Sequence, residues 1–121
     1  MKRLYALRGA TQCQNTEEDI TVQVQLLYDE LLQQNSMEEA DILSLFFSVT
    51  PDIDRLNPAT ALRRTGRGGN LALFVLQEAV FLQSAPGIIR ALLHCNLEEG
   101  AILHHVYRNG AEQLRPDRNL S

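Results

Sequence analysis

The run Ala40–Val49, "ADILSLFFSV", closed by Thr50-Pro51-Asp52, constrains the fold more than any other stretch. It is nearly continuously apolar, without a helical period. Its length and paired phenylalanines fit a strand covered on both faces. Such a strand needs neighbours beside it and layers above and below it, so the remaining segments must supply them.

They do so in alternation. An apolar strand over about 2–8 carries Leu4, Tyr5, Ala6 and Leu7 into Arg8 and Gly9. A helix then starts at Asn15 or Thr16 as N-cap, with Glu17, Glu18 and Asp19 at its positive end. Ile20, Val24, Leu27 and Leu31 mark its buried face. It stops near "QQNS", and Ser36 with Glu39 predicts a second, short capping box. "DRLNPATALRRTG" predicts a short helix with Asn57 as cap and Pro58 at its first position. "GRGGN" is a loop, and "LALFVLQEAVFL" a strand. "GIIRALLHCN" fits a strand or a helix, since Pro86-Gly87 precedes either. "NLEEGAILHHVYRNG" predicts a capped helical turn, an apolar strand through Tyr107 and a turn at Asn109-Gly110. Strands interleaved with helices imply an α/β or α+β sheet protein, as one domain over 1–121.

Composition narrows the partners. With 45% hydrophobic residues, 21% charged residues and a formal net charge of −4, the chain has an ordinary globular balance. It lacks the net basic stripe that nucleic acid or an anionic membrane would require. No apolar run approaches the length of a membrane span, and polar residues resume by Arg8, too early for a secretory signal. Cys13 and Cys95 match no disulfide framework and read as free thiols, so the chain is expected to be cytoplasmic. Any anion site must be a local gathering of arginines.

Four residues stand out on apolar elements: Arg8, Glu78, Arg90 and Tyr107. Each alone reads as a solvated position on an alternating strand. Together, two arginines and a glutamate at strand ends fit one cleft for a small anion with more than one carboxylate. His94, Cys95, His104 and His105 match no closed zinc pattern, and successive residues of a strand point to opposite faces, so no metal is expected. "GRGGN" lacks the Gly-Lys-Ser/Thr of a phosphate loop. No motif marks a nucleophile. "RPDR" at 115–118 is either a solvated turn or a basic tail that closes over an anion.

The order of short motifs is more telling: "LRGAT" at 7–11, "TPD" at 50–52, "QE" at 77–78, "HVY" at 105–107 and "LRPD" at 114–117, with the isolated Arg90. In that order, over almost the whole chain, they resemble the monofunctional chorismate mutases of the trimeric pseudo-α/β-barrel class. The resemblance implies an α+β fold with a mixed β-sheet, helices packed on one side, and a homotrimer with sites between subunits. It implies an isomerase of the shikimate pathway that turns chorismate into prephenate for phenylalanine and tyrosine, without cofactor, metal or covalent intermediate.

By the same resemblance, Arg90 lies beside the ether oxygen where charge develops. Arg8 grips a carboxylate from the end of the first strand, with Gly9 keeping the turn uncrowded. Glu78 bonds the ring hydroxyl and fixes Arg90, and Tyr107 donates to a carboxylate. Phe74, Val75, Leu76 and Gln77 form a pocket wall, partly through backbone groups. Arg63 reaches in from a neighbouring subunit, and Arg115 sits in a mobile tail, about 115–121. The sequence departs from the family at Asn57, where an aromatic is familiar, at Thr60, where a lysine is, and at Val75, where a cysteine is; these are rim positions of the substrate-binding set. Two other readings remain: a non-catalytic trimer of the same fold that binds or senses a small carboxylate, and a small trimeric hydrolase or deaminase.

Overall fold

In the computed structural model, which describes residues 1–82 and 84–114, the opening strand β1 runs Lys2–Gln12. This corrects the expectation that it stops at Arg8. It continues because β4, Ile88–Glu98, pairs with it antiparallel along its whole length, from Lys2 opposite Glu98 to Gln12 opposite Ile88. Gly9 is therefore no turn residue. A Cβ there would stand 3.0 Å from Leu27 Cδ1 and 3.0 Å from the Val106 carbonyl oxygen, so its absence lets the strand lie flush beneath a helix.

That helix, α1, spans Glu17–Gln34. Thr16 caps it by accepting the Asp19 N–H at 3.1 Å, and the acidic first turn suits the helix dipole. Ile20, Val24, Leu27, Tyr28 and Leu31 form its buried face. At its end Asn35 Nδ2 donates to the Leu31 carbonyl at 2.8 Å. The capping box expected at Ser36 and Glu39 does not form, because Ser36 takes a left-handed φ of 50°. Instead Asp41 accepts the Glu38 N–H at 3.0 Å around a 3₁₀ turn, Glu39–Asp41.

Strand β2 follows at Ile42–Val49, helix α2 at Pro58–Arg64, β3 at Ala72–Gln77 and β5 at Val106–Arg108, before a second 3₁₀ turn at Ala111–Leu114. The sheet order is β3-β2-β4-β1-β5. β4 pairs antiparallel with β1 and β2, whereas β3 joins β2 and β5 joins β1 in parallel. The sheet is mixed and the fold α+β. The ambiguous segment 88–96 is strand. The helical turn expected after Asn96 is absent, since β4 runs on to Glu98 and a turn follows at Glu99-Gly100. No helix among the described residues is long and apolar enough to cross a membrane.

Among the described residues the helices cover one face of the sheet only. Leu7, Leu45, Phe47, Ile89, Leu93 and Cys95 point to that side and are buried with the apolar face of α1, each large side chain contributing roughly 1.5–3 kcal/mol. Their alternates face the other way. Hence β2 is covered on one face in this chain, not both: Leu45 and Phe47 are 1% exposed, while Ser44, Phe46 and Ser48 between them are half-buried. On the uncovered side Phe74, Leu76 and Leu92 remain 57%, 50% and 37% exposed.

Loop 66–70 is held from below. Arg67 forks Asp29 of α1 through Nε at 2.7 Å and Nη2 at 2.9 Å, and the Gly68 N–H donates to Glu39 at 2.7 Å.

Candidate active site

The period-two alternation that buries one face of the sheet puts a second set of residues on the open face. Arg90 of β4 stands opposite Ser48 on β2 and Ala10 on β1, and Ala10 stands beside Tyr107 on β5. One pleat along, Leu92 lies between Phe46 and Arg8. Arg8, Arg90 and Tyr107, far apart in sequence, therefore line one cavity of about 500 Å³, with Phe46, Ser48 and Leu76 on its walls. Ala10, between Arg90 and Tyr107 in the sheet, is fully buried beneath them.

Among the described residues Arg90 is held by one partner. Its Nε donates to Glu78 Oε1 at 2.5 Å, with the two side chains 41% and 18% exposed. Glu78 sits just past β3, where its own N–H donates to the Val49 carbonyl at 2.8 Å. Because Glu78 takes Nε, both terminal nitrogens of Arg90 are left without a partner among the described residues. The Arg8 guanidinium and the Tyr107 hydroxyl are likewise unengaged there. A guanidinium oriented through Nε offers a fixed pair of donors to an oxyanion or carboxylate.

The other predicted residues divide by the pleat of β3. Phe74 and Leu76 face the open side, where Phe74 meets Phe46 edge-on at 6.1 Å between centroids. Val75 turns its side chain into the core with Leu73, which leaves only its backbone toward the open side, and Gln77 is exposed at the strand end. Asn57, Thr60 and Arg63 belong to α2 in the helical layer, and none lines the cavity of their own chain. Asn57 is occupied as N-cap, its Oδ1 accepting the Ala59 N–H at 2.8 Å. Arg115 and the tail 115–121 lie outside the described residues.

Sequence reasoning missed three neighbours of the site. His105 Nδ1 accepts the Arg8 N–H at 2.9 Å, which ties the segment before β5 to β1 at the residue that carries the cleft arginine. Phe46 and Ser48 were also overlooked, although their alternation with Leu45 and Phe47 is visible in the sequence. Among the described residues no three histidines, cysteines or carboxylates gather as a metal site. His94 instead shares a 3.1 Å hydrogen bond with Ser44.

The family model of chorismate mutase type I matches residues 4–118. The chain belongs to that family. Among curated proteins, chorismate mutase AroH of Bacillus subtilis (strain 168) is 26% identical over 117 residues, covering 95% of this chain and 92% of the relative. Among solved structures, the chorismate mutase from Clostridium thermocellum superposes with a TM-score of 0.84 at 37% identity, covering 90% of this chain and 98% of the other. The family membership makes this chain an isomerase, and its mixed sheet with two helices is the fold of that structural relative.

Proposed function

We propose that this chain catalyses the rearrangement of chorismate to prephenate in aromatic amino acid biosynthesis, and that the cavity on the open face holds the substrate. The observation that carries the reading is Arg90, held through Nε by Glu78 and lining a cavity that Arg8 and Tyr107 also line. In this rearrangement the ether C–O bond breaks as a new C–C bond forms within one molecule. No proton has to leave, no nucleophile is needed, and the electrons move around a closed ring of six atoms. Catalysis then has two tasks: holding the dianion folded and stabilising negative charge on the ether oxygen as the bond lengthens.

Each residue has a place in that scheme. Arg90 donates to the ether oxygen through a terminal nitrogen, and Glu78 holds it there while accepting from the ring hydroxyl. Arg8 and Tyr107 take carboxylate. The backbone of residues 74–76 and the Leu76 side chain form the apolar wall, which excludes water and strengthens these contacts. This chain's Asn57, Thr60 and Arg63 serve the cavity of a neighbouring copy, in a homotrimer assembled on the uncovered sheet faces. Phe74, Leu76 and Leu92, a contiguous apolar patch, supply the contact area such an assembly needs. Buried unpaired thiols at Cys13 and Cys95 suit the reducing cytoplasm as its location.

The test is loss of chorismate absorbance with purified protein in a chelator-containing buffer, followed by acid conversion of the product to phenylpyruvate. Rapid loss with prephenate as product supports the mutase. Prephenate binding without turnover would make the protein a carboxylate binder and end the enzymatic reading.

A further inference from the structure

The site's Tyr107 rides on the weakest element of the sheet. β5 has three residues, lies at the edge, and pairs only with Gly9, Ala10 and Thr11 of β1. So short a strand does not hold a side chain to a fraction of an ångström through ladder bonds alone. What secures it lies on the opposite face. Arg108, the next residue, turns under the sheet and is 81% shielded from solvent, its side chain 19% exposed. Its Nη1 donates to Thr11 Oγ1 at 3.2 Å and to Gln23 Oε1, and its Nε donates to Glu30 Oε1 at 3.4 Å. Thr11 is fully buried. Gln23 is itself fixed through Nε2 to Asp19 Oδ1 at 3.3 Å. One guanidinium therefore bolts β5 to both β1 and α1.

We infer that Arg108 is a positioning residue for catalysis: through the β5 backbone it sets where the Tyr107 hydroxyl stands in the cavity. Arg108 and Tyr107 alternate across the strand, so the guanidinium never touches the substrate. Its partners on α1 belong to the helix that also packs under Gly9, next to Arg8. Loosening Arg108 lets β5 slide or lift, and the tyrosine moves with it. The inference rests on the mutase reading and on a role for Tyr107 in it.

The experiment is a double-mutant cycle on kcat and KM with chorismate, using Arg108→Leu, Tyr107→Phe and the pair, with thermal unfolding recorded for each. A displaced catalytic group typically costs up to about 10²-fold, so Arg108→Leu is expected to lower kcat/KM by about tenfold or more while the protein stays folded at the assay temperature. In the Tyr107→Phe background the same change is expected to cost less than about twofold, because there is no hydroxyl left to misplace. Arg108→Lys, which can still reach Glu30 or Gln23, is expected to recover most of the loss. Equal losses in both backgrounds would overturn the inference and leave Arg108 a purely structural anchor. If Arg108→Leu does not fold, the same cycle with Glu30→Gln and Gln23→Ala decides by the same criterion. An inactive wild-type protein would refute the mutase reading instead, and a fully active Tyr107→Phe would refute the inference alone.

Discussion

Single residues set the limits of this fold by what they cannot be. Gly87 enters β4 with φ at 66°, and a Cβ there would lie 2.5 Å from the Cys13 carbonyl oxygen, a backbone atom that cannot swing aside. The Cys13 N–H in turn donates to the Gly87 carbonyl at 2.8 Å. Gly87→Ala combines a left-handed conformation with a clash and is expected to destabilise the protein by at least ~2 kcal/mol, read from chemical denaturation; a loss under ~0.5 kcal/mol would mean the two strands are free to part there. Cys13 bears on pH. Burial, with Asp19 and Asp52 nearby, pushes its thiol up to about 12, above the ordinary value near 8.5. As pH rises through about 9, the unfolded chain loses this proton while the folded one keeps it, so stability falls between that pH and about 12. The melting temperature of the wild type is therefore expected to drop more steeply from pH 7 to 10 than that of Cys13→Ala. Parallel slopes would contradict the assignment.

At the scale of elements, local chemistry and long-range pairing divide the fold between them. α1 and α2 were legible because their caps, Thr16 and Asn57, and their apolar spacing are local signals. The end of β1 was not, because what extends it to Gln12 is β4, whose Ile88 is 76 residues away in sequence. Arg8 and Arg90 were legible as charges stranded on apolar segments. His105 and Arg108 were not, since their partners lie 97 and 78 residues away in sequence and their roles belong to the packing. α2 offers a direct test of the cap. Asn57 Oδ1 accepts from both Ala59 and Thr60 N–H groups, at 2.8 and 3.4 Å. Asn57→Ala is expected to cost about 1 kcal/mol in thermal or denaturant unfolding. Asn57→Asp, which keeps the acceptor, is expected to be nearly neutral, and an equal loss for both would rule out capping.

Among the described residues the sheet is dressed with helices on one face, and the cavity lined by Arg8, Arg90 and Tyr107 lies on the other. Phe74→Glu and Leu92→Glu place charge on the open face without touching the core, and both are expected to shift sedimentation from the proposed trimer toward monomer. Unchanged sedimentation would count against assembly through this face. The central claim, however, is that the cavity works by stabilising charge as a bond breaks, with Arg90 as its instrument. The measurement that tests it most directly is kcat for chorismate beside the dissociation constant for prephenate, in the wild type and in Arg90→Ala. The predicted result is a fall in kcat of at least about 10²–10³-fold, with product binding weakened far less. Equal losses in the two would show that Arg90 only binds, and the electrostatic account would be wrong.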